Sequence, residues 1–457
     1  MAFLDENYLL STASSKKIFK HIKDLPIIDV HNHVNVKEIW ENKNYSDIWF
    51  VEGATDHYVW ELLRKRGIEE EYITGAASNK EKWRKMASVF EDLVGNPVYE
   101  WVHLDLKRQL GIESLIKAEN AEEIWDLSIE KLQEENLKPQ ALLEHMKVEL
   151  MCSTDDPIDT LEYHKKLRDI ADFKTKILPT WRPDKAMNIL KPNFIDYIQK
   201  LEKRVNRPIT TIEHLIDALQ ETHDYFEKMG ALASDHGVEI PFGDDVSAQK
   251  ADAIFQKRLN GEILDPTEER DYKSFMLHQF GKMNANSNWV MQIHIGAVRD
   301  VRDSLYTSLG PDSGGDVSNH RIPILEPLKD FLNAFDGTLK LVLYALDPHH
   351  LPTLATLTRA FGKNVSLGAA WWFNDSPIGM KRHLEYMGSV DLLMNFAGMV
   401  SDSRKLISYG SRTEMFRRVL ADVLGNMVEK GQFPEELAIR SAKYICYDRK
   451  KDLFEIS

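Results

Sequence analysis

Eight short apolar runs constrain this chain more than any other feature. They fall at residues 27–30, 148–152, 175–179, 230–233, 289–293, 339–344, 365–368 and 396–400. Each runs into polar side chains, and enough sequence for a helix separates each from the next. The runs do not alternate apolar with polar, which is the pattern of strands covered on both faces. Short buried strands alternating with helices build a parallel sheet, and eight such units close as a (β/α)8 barrel. A chain of 457 residues has room for about three domains, yet a single elaborated barrel also reaches this length. No linker or low-complexity segment divides the sequence. The expectation is therefore one α/β domain over 1–457.

The gap between the first and second runs is out of proportion to the others. Residues 37–149 carry Trp40, Trp49, Trp60, Trp83 and Trp101 among apolar positions three or four apart, as amphipathic helices require. This predicts a helical insertion placed directly after the first strand. It is either a cap over the strand ends or a surface between copies of the chain, and a homo-oligomer is expected.

In a barrel of parallel strands the active site lies at the C-terminal ends. The first run leads into His31-Asn32-His33. Alternate residues of an extended segment point the same way, so His31 and His33 present two imidazoles side by side. Neutral imidazole ligates zinc, manganese or iron. Asp402 follows the eighth run. The first and eighth strands of a closed barrel are neighbours, so His31, His33 and Asp402 converge as a divalent metal site with open positions. An Asp at a strand end is also a common helix N-cap; the paired histidines favour metal binding or proton transfer. His294 follows the fifth run, as a ligand, a substrate contact or a satisfied barrel histidine. His236, after the fourth run, is placed to face the same pocket.

Arg182 and Arg404 stand just past the third and eighth runs. A guanidinium binds a carboxylate bidentately, so two of them point to an anionic small molecule. Asp56-His57-Tyr58 opens a helix of the insertion. His57 and Tyr58 either reach over the mouth or simply begin a capped helix. A net charge of −14 argues against nucleic acid as a partner. Cys152 and Cys446 form neither a disulfide framework nor a CxxC metal motif, which fits a reducing cytosol. No run approaches the roughly 20 apolar residues of a membrane span, and the first residues, with Asp5 and Glu6, do not read as a signal peptide. A cytoplasmic protein without a membrane partner is expected.

Several motifs follow one another along nearly the whole chain. They include His31-Asn32-His33, Asp56-His57-Tyr58, Gly95-Asn96-Pro97, Thr180-Trp181-Arg182-Pro183-Asp184-Lys185, Ser234-Asp235-His236-Gly237, Trp371-Trp372-Phe373-Asn374-Asp375 and Asp402-Ser403-Arg404. In that order they resemble the uronate (glucuronate) isomerases of the amidohydrolase superfamily. The resemblance implies isomerisation of D-glucuronate to D-fructuronate and of D-galacturonate to D-tagaturonate. It implies a (β/α)8 barrel with one divalent metal ion, usually zinc. It puts His31, His33 and Asp402 around that metal, and Arg182, Arg404, His57 and Tyr58 at substrate-binding positions. Asn32 stands where the family pattern has Cys.

Such a reaction moves a proton from C2 to C1, so a base must reach C2 and the enediol-like intermediate must be stabilised. Asp402 is the expected shuttle and Arg404 the expected fixed charge. The alternative is a metal-dependent hydrolase of the same superfamily, whose site activates water. Such hydrolases commonly place another His at the sixth strand end. Here the run leads into Leu346-Asp347, with His349 and His350 only beyond Pro348. That favours the isomerase.

Overall fold

The computed structural model describes residues 3–456. Seven strands form one parallel sheet: β1 (Ile27–Asp29), β2 (Val148–Asp155), β3 (Lys176–Trp181), β4 (Ala233–Val238), β5 (Val290–Ile295), β6 (Lys340–Ala345) and β7 (Val365–Leu367). Each pairs with the next in sequence. Parallel neighbours need a crossover between them, and helices supply it: Phe194–Val205 and Ile212–Lys228 between β3 and β4, Pro266–Asn286 between β4 and β5. Helices outside and side chains inside cover both faces, so all of β5 is buried. That explains the unbroken apolar runs in the sequence.

The eighth run departs from expectation, because 396–400 is not a strand. Gly398 sits at φ 92°, in the left-handed region, and a Cβ there would stand 2.7 Å from Cε of Lys450. The chain turns at that glycine instead of extending. The segment nevertheless spans the two edges of the curled sheet. Ala397 N–H donates to the Leu367 carbonyl of β7 at 3.0 Å, Asp402 N–H to the His31 carbonyl at 3.2 Å, and His33 N–H to the Ser403 carbonyl at 2.9 Å. Two strand boundaries also differ from the sequence reading. β4 begins where its run ends, and β5 continues to Ile295, so His236 and His294 lie inside strands rather than beyond them.

Between β1 and β2 the chain is helical, as its apolar spacing predicts. The helices include Ile48–Glu52, His57–Lys65, Asn79–Val89, Pro97–Asp105 and Ala121–Leu132. Their tryptophans Trp49, Trp83 and Trp101 are almost completely buried. Truncating such a side chain to Ala costs about 3–5 kcal/mol. Trp101 packs against the helix Tyr409–Glu429, its indole N–H 3.3 Å from Met415 Sδ. These helices are thereby joined to the chain that follows the eighth run.

Candidate active site and metal centre

The chain bends at Val30 just past β1, and backbone hydrogen bonds between His31, His33 and the segment 402–403 hold the two histidines against Asp402. Asp29 is fully engaged by the eighth segment: Ser401 N–H donates to Oδ1 at 2.9 Å and Ser401 Oγ to Oδ2 at 2.6 Å. This fixes the neighbouring Asp402 opposite the histidines. Asp402 Oδ1 lies 3.1 Å from His31 Nε2 and 3.2 Å from His33 Nε2. Its Oδ2 accepts the indole N–H of Trp371 at 2.9 Å. Asp402 adopts φ 47°, a conformation that non-glycine residues hold only when the surroundings dictate it.

The geometry suits a divalent ion. Metal–ligand bonds of roughly 2.0–2.2 Å in a tetrahedral site put ligand atoms about 3.3–3.5 Å apart. The two distances from Asp402 Oδ1 come close to that spacing, the three ligand atoms lie within 4.8 Å of one another, and His33 is still 28% exposed toward the open side. Burial holds the His33 imidazole below its ordinary pKa, against the pull of Asp402, so it is neutral and able to ligate. Burial also works against charge on His31, but Asp235 and Asp402 outweigh it and raise that imidazole. Burial alone would raise the Asp402 carboxyl; hydrogen bonds from His31 and His33 hold it well below the usual carboxylate range.

Asp235 is the second centre of the site. His294 Nδ1 is 2.7 Å from Asp235 Oδ1, His31 Nδ1 is 3.8 Å from the same oxygen, and Arg182 Nη1 is 3.1 Å from Oδ2. Burial is again outweighed, here by the charge of Arg182 and then of the histidines, and Asp235 is held well below the carboxylate range. An ionised Asp235 accepts only, so the His294 proton sits on Nδ1. Burial lowers the His294 pKa to about 4, and its Nε2 has no protein partner. That nitrogen is a free acceptor at the site. His31, Asp235 and His294 also bring ligand atoms near one another, but the Arg182 cation beside Asp235 opposes a second metal ion there.

A cavity of about 480 Å³ opens over these groups, lined among others by His57, Arg182, Arg299 and Arg404. Arg182 is already committed on two edges, with Nε 2.8 Å from Asp184 Oδ2 and Nη1 on Asp235. A Cβ on Gly237 would lie 2.6 Å from Arg182 Nη2, so the glycine leaves room for that guanidinium. Arg404 is different: among the described residues it has no hydrogen bond or ion pair. His57 begins a helix capped by Asp56, whose Oδ1 accepts Tyr58 N–H at 3.0 Å. Its ring stacks on Trp372 at 5.3 Å. Burial, then the charge of Arg404, lowers His57 to about 4.

Two expected groups do not line this cavity. Within β4, Ala233, Asp235 and Gly237 share one face, and Ser234 and His236 the other. His236 is fully buried behind the site, 2.7 Å from Ser234 Oγ and stacked on Phe280 of Pro266–Asn286. Tyr58 lines a separate cavity on the far side of Trp372 and packs edge-on against Trp101. Conversely, the site contains Asp235, Trp371 and Arg299, to which the sequence reading gave no role. The signal for Asp235 was present: it shares the strand parity of Gly237, which faces His294 across the sheet. Past β6, neither His349 nor His350 lines the cavity among the described residues. Asp347 caps a short helix and binds His349 Nδ1 at 2.7 Å, while His349 is 76% exposed.

The family model for glucuronate isomerase matches residues 1–454 of the chain. A uronate isomerase of Thermotoga sp. (strain RQ2) is 56% identical over 452 residues, covering 99% of each chain. The crystal structure of a uronate isomerase from Thermotoga maritima superposes with a TM-score of 0.97 at 54% identity, covering 99% of this chain and 100% of the other. A glucuronate isomerase from Caulobacter crescentus shares the fold, with a TM-score of 0.94 at 24% identity over 99% and 97% of the two chains.

Proposed function

The chain belongs to the glucuronate isomerase family, and from that premise we propose how its residues divide the work. The protein is an aldose–ketose isomerase of uronates; the hydrolase alternative is not favoured. The substrates we assign are D-glucuronate and D-galacturonate in open-chain form, with an aldehyde at C1 and a carboxylate at C6.

The observation that carries the assignment is Arg404, an unpaired guanidinium in the cavity two residues from Asp402. Asp402 Oδ2, held by Trp371, takes the C2 proton. The C–H electrons become the C1–C2 double bond, and negative charge develops on O1. Arg404 stabilises that charge. The proton returns from Asp402 to C1, and the hydroxyl hydrogen passes from O2 to O1, which leaves a ketone at C2. Arg182 directs its remaining N–H groups to the C6 carboxylate. His57, neutral near physiological pH, and His294 through its free Nε2 hydrogen-bond the substrate hydroxyls. Tyr58 and His236 support this set from behind, Tyr58 against the His57 ring at 4.8 Å. His31, His33 and Asp402 Oδ1 hold one divalent ion, zinc by family resemblance, which when bound supplies Lewis-acid polarisation of a substrate oxygen.

The frame we infer is one domain over 1–457, a (β/α)8 barrel whose eighth unit is the irregular segment 396–403. Residues 37–149 are its helical insertion, which supports His57 at the mouth and offers a contact surface for a homo-oligomer. Both cysteines are free and buried, which suits the cytoplasm. Turnover of a C2-deuterated hexuronate tests the chemistry. Wash-out of deuterium into solvent supports the shuttle; complete retention means a hydride shift and removes Asp402 as base.

A further inference from the structure

Behind the cavity lies a cluster of ionisable side chains that the isomerisation does not use. Lys405 Nζ is 2.8 Å from Glu52 Oε2 and 3.3 Å from Asp56 Oδ2, with all three side chains at most 5% exposed. Asp105, also buried, accepts a hydrogen bond from Ser408 Oγ close by. These groups come from separate parts of the chain. Glu52 ends the helix Ile48–Glu52, Asp56 caps His57–Lys65, Asp105 ends Pro97–Asp105, and Lys405 follows Arg404. A buried ion pair is weak evidence for stability, because desolvation offsets the attraction. What such a cluster does supply is direction, since the Lys405 ammonium reaches Glu52 and Asp56 together only in this arrangement.

The two ends of the Lys405–Asp56 bridge both carry site residues. The Ser403 hydroxyl accepts Lys405 N–H at 3.1 Å and donates to the Lys405 carbonyl at 2.8 Å. Arg404 thus stands at the crest of a closed turn. Asp402 is held in place by His31, His33 and Trp371, whereas the Arg404 side chain has no such support and depends on that turn. At the other end, one oxygen of Asp56 caps the helix that presents His57 and the other faces Lys405. We propose that Lys405 is a positioning residue of the active site, fastening the turn that aims Arg404 to the helix start that presents His57. The inference rests on Arg404 acting on substrate, as assigned above.

The test is a double-mutant cycle on a hexuronate. Asn is as good an N-cap as Asp, so Asp56→Asn keeps the helix start and removes only the charge that Lys405 binds. It should lower kcat/KM about tenfold in the wild-type background and less than about twofold in Arg404→Met, because the second loss acts through the first. A general loss of folded enzyme would instead lower both backgrounds by the same factor. Equal factors in the two backgrounds, or wild-type kcat/KM for Asp56→Asn, overturn the inference while leaving the assignment of Arg404 intact. Wild-type kcat/KM for Arg404→Met overturns that assignment and the inference with it.

Discussion

Asp235 and His294 stand within strands and His31 two residues past β1, where its carbonyl accepts Asp402 N–H, whereas His57, Arg182 and Arg404 stand on turns and a helix start at the rim, and the two sets are held differently. On the sheet the backbone is fixed by strand pairing, and each side chain has partners on more than one side. His294, for example, bonds Asp235, stacks on Tyr344 at 4.2 Å and leans on Trp371 at 4.7 Å. At the rim the support is thinner: Arg182 is held by Asp184 and Asp235, His57 Nδ1 has no hydrogen-bond partner and its ring rests on Trp372, and Arg404 has no hydrogen bond or ion pair among the described residues. The first set, with the adjoining His33 and Asp402, therefore suits the tasks proposed for it that need rigid geometry, metal holding and proton transfer. The rim set suits tasks that need charge and adaptability, the grip on an anionic sugar.

Substitutions on the two sides should separate these tasks. The largest effect belongs to the histidines just past β1: His31→Ala with His33→Ala should abolish bound metal, since it leaves Asp402 alone to ligate. Wild-type metal content by elemental analysis of the folded double variant would remove both residues from the ligand set. Asp402→Asn keeps the shape and removes the base, and should lower kcat about a hundredfold or more; near-normal turnover would move the base elsewhere. At the rim the effects should be smaller and fall on KM. Arg182→Lys loses a fork worth about 1.5–3 kcal/mol, which raises KM about tenfold or more. Gly237→Ala should act in the same direction by crowding Arg182 Nη2. An unchanged KM in both variants would make Arg182 purely structural. The smallest effect is predicted beneath the sheet set. Tyr344→Phe keeps the ring under His294 and removes only the hydroxyl bond to Gln292 at 2.9 Å. It should cost about 1–2 kcal/mol of stability, read from the denaturant midpoint, with kcat unchanged. A loss of kcat would show that the support reaches the chemistry.

The sheet half of the site was the more legible in sequence, for a physical reason. Strand period and strand order are local properties, so the His31/His33 pair and its approach to Asp402 follow from pattern and chain order. The same rule, applied to β4, distinguishes Asp235 from His236. The boundary of the run at 230–233 hid it, because Ser234-Asp235-His236-Gly237 is polar and reads as loop although it forms strand. A polar strand is stable there because its side chains meet partners from other elements, such as Asn284 Nδ2 donating to Ser234 Oγ at 2.8 Å.

By itself, then, the sequence determined the sheet's strand order, the helical character of 37–149, the metal-type trio and the cationic residues beyond the strand ends. These depend on short-range periodicity and on the order of units along the chain. Tertiary structure alone decided which candidates share the cavity. It turned His236 outward against Phe280 and sent Tyr58 behind Trp372. It brought Arg299 in over the Trp372 ring at 5.0 Å. It also engaged Arg182 with two carboxylates and left Arg404 without a partner. Those outcomes depend on contacts between residues far apart in sequence. Whether a guanidinium is free or paired is set by which carboxylates the fold brings to it, and local pattern carries no record of that.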